Sequence, residues 1–110
     1  MYLNIAAKTA FEISEKRAEN GAFGSDTDVL KHAAGELVEA VEARNRLVTV
    51  KTELFDFAIE RATKEYAEEL ADVIICILIQ AAADGVDIEK AVTDKMEKNR
   101  LRAEKQGDKL

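Results

Sequence analysis

Two pairs of acidic residues, each spaced by three, are the part of this 110-residue sequence best suited to chemistry. Gly35-Glu36-Leu37-Val38-Glu39 carries one pair, and Glu68-Glu69-Leu70-Ala71-Asp72 carries the other in Glu69 and Asp72. On a helix, a spacing of three sets both carboxylates within about 60° of each other. Each pair lies at the margin of an apolar stripe, so it can face a neighbouring helix near the edge of a core. Like charges gathered there repel, and a bundle gains nothing from them unless something positive sits between. Mg²⁺ fits that need, being a hard cation that takes oxygen ligands at about 2.1 Å and keeps several waters. Mn²⁺ accepts the same ligands, and no Cys or His cluster competes for a softer metal. Carboxylates on facing helices are one way bundles hold metals. The ordinary alternative stands beside this reading. With 22 acidic residues such pairs arise by chance, and Glu60, Glu65 and Glu89 read as parts of solvated faces. Spacing alone favours the solvated reading.

The elements that must carry these pairs read as helices. Proline is absent, aromatic residues make up 5%, and 47% of the chain is apolar, so nothing interrupts long helices and a core is available. A first helix is predicted over Tyr2–Glu19, with Leu3, Ala6, Ala10, Ile13 and Arg17 on its inward stripe. Asn20-Gly21 and Gly24 punctuate the chain, and Ser25-Asp26-Thr27-Asp28 offers N-caps for a second helix over Asp28–Arg44. Its apolar face is predicted to be Leu30, Ala34, Leu37, Val38 and Val41. From Asn45 to Thr63 the sequence predicts a helical insertion or extended connection, since Leu47-Val48-Thr49-Val50 is β-prone but has no evident strand partner. Thr52 is the candidate cap of a short helix carrying Phe55, Ala58, Ile59 and Ala62. A third helix is predicted over Lys64–Asp84, ended by Gly85, and a fourth over Ile88–Lys105, capped by Asp87, with Ile88, Ala91, Val92 and Met96 inward. The middle of the third helix is apolar all round, which requires cover on every side. Either a second subunit or the Asn45–Thr63 segment must supply it.

Charge and composition narrow the functional classes. The formal net charge is −6, which repels a phosphate backbone and argues against a nucleic-acid polymer as partner. A single nucleotide remains compatible, because a bound divalent cation and a few local Lys or Arg residues invert the local field. The longest uninterrupted apolar run, Val73–Ile79, is far short of the roughly 20 residues that cross a bilayer. No signal peptide is visible at Met1-Tyr2-Leu3-Asn4-Ile5, and the lone Cys76 reads as buried, so a cytoplasmic location is expected. His32 reads as a packing or surface residue and not as a base. Tyr2, Phe11, Phe23, Phe55, Phe57 and Tyr66 are the residues available to stack on a base.

The order of motifs carries a further signal. Glu36-x-x-Glu39 is followed by Glu69-Leu70-Ala71-Asp72-Val73 entering the apolar run. Gly85-Val86-Asp87-Ile88-Glu89-Lys90-Ala91-Val92 comes next, and Lys95-Met96-Glu97-Lys98-Asn99-Arg100-Leu101-Arg102 closes the series. Across roughly 31–102, leaving out the connection at 45–63, this arrangement resembles the MazG-like branch of the all-α NTP pyrophosphohydrolases. The resemblance implies one all-α domain, a four-helix bundle completed by dimerisation, as a homodimer or homotetramer. It implies Mg²⁺-dependent hydrolysis of a nucleoside triphosphate to the monophosphate and pyrophosphate. Glu36, Glu39, Glu69 and Asp72 match the metal-binding acids, while Lys95, Asn99 and Arg102 match residues that approach the nucleotide's phosphates and sugar. Glu39 is the candidate for taking a proton from the attacking water. Many members have two consecutive acids before the x-x-E, where this chain has Gly35. Two alternatives accompany this reading: a phosphoribosyl-ATP pyrophosphohydrolase-like enzyme, and a non-catalytic helical oligomerisation or regulatory module.

Overall fold

The computed structural model describes residues 2–19, 29–53 and 56–106. Four helices fill them: α1 (Leu3–Glu19), α2 (Val29–Glu53), α3 (Asp56–Ala83) and α4 (Ile88–Gln106), with no strand among the described residues. The fold is all-α, as the proline-free composition predicts. The N-cap candidates at 25–28, the Gly21 and Gly24 breaks, and Phe23 and Phe55 lie outside the described residues.

The described part of the segment 45–63 is helical and not extended: α2 continues through it to Glu53, and α3 starts at Asp56, a full two turns before Lys64. Packing explains the difference. Ala33, Ala40, Ala43 and Leu47 are buried on α2, and Leu47 continues the stripe seven residues beyond Ala40. Burying Leu47 against α3 outweighs the β preference of Val48-Thr49-Val50, because propensity is weak beside tertiary contact. Thr52 caps no helix. It sits within α2 and its Oγ1 donates to the Thr49 carbonyl at 2.7 Å.

Small residues decide which face turns inward. The stripe Ala33, Ala40, Ala43, Leu47 lets α2 lie close against α3, where Ala62 and Cys76 are buried. The larger set predicted to point inward, Leu30, Ala34, Leu37, Val38 and Val41, is exposed instead. On α1 the buried residues are Ala7 and Ser14, with Leu3, Ala10 and Phe11 half-buried, while Ala6, Ile13 and Arg17 are exposed. On α4, Ile88 and Val92 are half-buried, but Ala91 and Met96 are exposed.

The helices stand abreast in the order α2, α3, α1, α4. α3 packs on both α2 and α1, whereas α4 meets α1. The molecule measures 45 × 44 × 22 Å, and its longest dimension matches the 28-residue α3. Its radius of gyration is 17.3 Å. A compact domain of this length has about 13 Å, so one copy is open and flat. Gly85 ends α3 at φ +70°, a conformation that costs other L-residues energy, and the chain reverses there. Asp87 then caps α4, accepting from Lys90 N at 3.0 Å. The same carboxylate accepts from Asn4 Nδ2 at 2.8 Å, Asn4 Oδ1 accepts from Glu89 N at 3.1 Å, and Glu89 Oε1 accepts from Leu3 N at 2.8 Å. Each of the two helices thus caps the first turn of the other, which ties α4 to α1.

Candidate metal centre

Glu36 and Glu69 stand within the seam itself. Glu36 falls between Ala33 and Ala40 on the buried stripe of α2, and Glu69 lies seven residues before the buried Cys76 on α3. Alanines at Ala40 and Ala43 hold the helix axes close and leave the two longer side chains to fill the space. Glu39 and Asp72 each follow by three, which rotates both by about 60° from the seam. Because α2 and α3 run antiparallel, that rotation brings both onto the same flank of the pair. Oxygens of Glu36, Glu69 and Asp72 lie within 4.8 Å of one another. Glu36 and Glu69 are half-buried, and Asp72 is exposed.

The electrostatics are those of crowded anions. Burial raises the Glu36 carboxyl above its ordinary range, and the charge of Glu39, a hydrogen bond with Glu39 and the charge of Asp72 raise it further. His32 opposes them, with Nε2 3.1 Å from Glu36 Oε1. Glu69 is raised by burial first, then by a hydrogen bond with Glu39 and by the charges of Glu39, Asp72 and Glu36. The Cys76 thiol is held up by its burial and by Glu36 and Asp72. Glu36 Oε2 and Glu69 Oε2 are buried and have no hydrogen-bond partner among the described residues. A buried oxygen without a donor is costly, and a divalent cation is the species that satisfies several at once. The donor set, all carboxylate, suits Mg²⁺ or Mn²⁺.

Three of the four acids read from the sequence therefore converge. Glu39, exposed, is outside that trio but close enough to act on both Glu36 and Glu69. The structure does not bring Lys95, Asn99 and Arg102 to this centre within one chain. All three are exposed on α4, which packs on α1 at the far side of α3, and the groups acting on Glu36 and Glu69 include no residue of α4. His32 is the neighbour that sequence reasoning set aside. Its position four residues before Glu36 is the signal that would have found it. Of the aromatic residues, Tyr2 and Phe57 are exposed and Phe11 and Tyr66 half-buried.

A Cβ placed on Gly35 would meet nothing within 4 Å, so the missing second acid of the E-E-x-x-E pattern leaves open space and not a distortion. No helix of the described residues is long and apolar enough to cross a membrane. Comparison with curated proteins and with solved structures gives no match. The profile of the MazG nucleotide pyrophosphohydrolase domain matches residues 25–106, a span that takes in both acid pairs, the Gly85 turn and the whole of α4. The chain belongs to the MazG nucleotide pyrophosphohydrolase domain family.

Proposed function

We propose that this protein hydrolyses a nucleoside triphosphate, or its deoxy counterpart, to the monophosphate and pyrophosphate, using Mg²⁺ held by Glu36, Glu39, Glu69 and Asp72. The observation that carries the reading is the convergence of three carboxylates at the α2–α3 seam, two of them with a buried, partnerless oxygen. Chance pairs on solvated faces do not leave such oxygens.

A divalent cation bound there supplies charge neutralisation for the phosphates and lowers the pKa of water. The chain's own residues do the rest. Glu36 and Glu69 are fixed by the packed seam, so the acids are positioned before substrate arrives. Glu39, exposed and beside both, accepts the proton of the attacking water. The water oxygen bonds to the α-phosphorus, the bond from that phosphorus to the bridging oxygen breaks, and pyrophosphate leaves with the electron pair.

The same reading includes a homodimer or homotetramer. Leu30, Leu37, Val41, Val48, Leu70, Ile74 and Ile77 are 39–54% exposed. Their spacing sets all seven on the flank of the α2–α3 pair opposite Glu39 and Asp72. They offer roughly 500–600 Å² of apolar surface, most of the 800 Å² or so that each partner contributes to a stable interface. The described residues of the segment 45–63 belong to α2 and α3, so they do not fold over this face. A second copy is the cover that remains. Lys95, Asn99 and Arg102 would meet a carboxylate centre and its nucleotide in an assembly where α4 of one copy approaches another copy.

A pyrophosphate-release screen with Mg²⁺ across ordinary and deoxy NTPs, with phosphoribosyl-ATP as a separate arm, tests the activity. Glu69→Gln abolishes turnover and leaves the helical circular dichroism intact. Turnover unchanged in that variant removes Glu69 from the site. No pyrophosphate from any nucleotide, together with no thermal shift in Mg²⁺, leaves a helical module without catalysis.

A further inference from the structure

With α4 two helices away, the centre in one chain lacks the cations that a triphosphate's negative charge calls for. Among the described residues His32 is the one basic side chain acting on Glu36, with Nε2 3.1 Å from Glu36 Oε1, and none acts on Glu69. The helix register supplies two more along the same flank. Arg46 follows Glu39 by seven residues, and Arg61 precedes Asp72 by eleven, so each falls within about 20° of its acid around the helix. Since α2 and α3 are antiparallel, both steps lead in the same direction, toward the Glu53–Asp56 end of the pair. Measured from Glu36 and Glu69, Arg46 lies about 15 Å along the seam and Arg61 about 12 Å. The two arginines therefore stand almost opposite each other across it, next to the buried Ala43 and Ala62.

Both are exposed, and neither makes an ion pair among the described residues, although Glu42 and Glu65 lie one turn away on the same helices. On α4 the spacing of four is used, Lys90 pairing with Asp94 and Arg100 with Glu104, and Arg100 also pairs with Glu97 three residues back. Arg46 and Arg61 are thus charged groups left available on the substrate-facing flank. Guanidinium groups bind phosphate oxygens through paired donors, in a geometry that lysine does not reproduce.

We propose that Arg46 and Arg61 form a clamp for the distal phosphates of a polyphosphate whose other end lies at the carboxylate centre of the same chain. The proposal rests on the metal-centre reading above and names which residues receive the anionic tail. A triphosphate anchored at the carboxylates and two arginine side chains reaching back from the turn end meet in the intervening 12–15 Å or so. Pyrophosphate, the leaving group, then departs from between two cations.

The test uses the full chain and magnesium tripolyphosphate, which needs no turnover, with binding followed by titration calorimetry. Arg46→Ala with Arg61→Ala is expected to weaken binding tenfold or more, the Arg46→Lys and Arg61→Lys pair to recover part of it, and Mn²⁺ binding without polyphosphate to stay unchanged. Arg44→Ala, on the opposite flank of α2, is expected to bind tripolyphosphate as wild type does. Equal binding by the double alanine variant overturns the clamp. So does equal weakening by Arg44→Ala, loss of Mn²⁺ binding in the double variant, or absence of tripolyphosphate binding by the wild type. Should the wild type release no pyrophosphate from any nucleotide while the double variant still loses tripolyphosphate, the hydrolase reading fails and the clamp stands.

Discussion

Glu36→Gln separates a carboxylate kept for a cation from one kept for the fold. Glu36 sits in the seam with Glu69 and Asp72 oxygens within 4.8 Å, and among the described residues only His32 offsets the repulsion. At that distance one neighbouring charge, such as exposed Asp72, costs about 1 kcal/mol with water-like screening, the low end that exposure warrants. The glutamine removes this repulsion, keeps the shape, and brings an amide N–H that the partnerless Glu69 Oε2 can accept. In chelator the variant should melt about 4–8 °C above wild type. With Mg²⁺ the order reverses. Binding to the folded state alone stabilises by about 2.7 kcal/mol at a hundredfold excess over Kd, and the variant has lost a ligand. Thermal unfolding by circular dichroism, with chelator and with a Mg²⁺ series, reads both arms. A variant that melts below wild type in chelator, or that keeps the full Mg²⁺-induced rise, refutes the reasoning.

Two further outcomes follow from the same contacts. Glu36 and Glu69 have raised folded-state pKa values, so their contribution to stability is complete below the ordinary value of 4.5 and is lost as pH rises through the raised values. The melting temperature in chelator should therefore climb as pH falls through the raised values toward 4.5, and Mg²⁺ should flatten that slope; a flat profile in chelator would contradict it. Asp87→Ala removes the cap of α4 and the bond from Asn4, which should lower stability, and combining it with Asn4→Ala should cost less than the sum of the two. Denaturant melts of the single and double variants measure this, and strict additivity would show the two residues to be independent.

Fold class and the acid pairs were legible because each rests on local rules: the absence of proline, periodic apolar residues, the Gly85 stop, the Asp87 cap and the spacing of three. Convergence of Glu36 with Glu69 was not, since it depends on register between helices that sequence spacing leaves open. The inward face of α2 was misread for a related reason. Hydrophobic size favours Leu37, Val38 and Val41, yet the close seam selects the smaller Ala33, Ala40 and Ala43. The Val48-Thr49-Val50 run misled in the same way, because packing of Leu47 and not local preference sets the helix there. The place of α4 against α1 depends on three hydrogen bonds between Leu3, Asn4, Asp87 and Glu89, which no periodicity encodes.

The misread face and the carboxylates are connected. A helix pair that buried its large residues in the seam would hold its axes further apart, and Glu36 and Glu69 could not approach across it. Using alanine there brings the acids together and turns Leu37, Val41, Leu70, Ile74 and Ile77 outward on the opposite flank. An anion cluster on one side and an apolar surface on the other are thus two consequences of one packing choice. Each leaves the single chain unsatisfied. On the proposed reading a cation would occupy the first and a second copy would cover the second, so the two would contribute to stability separately, through flanks that do not touch.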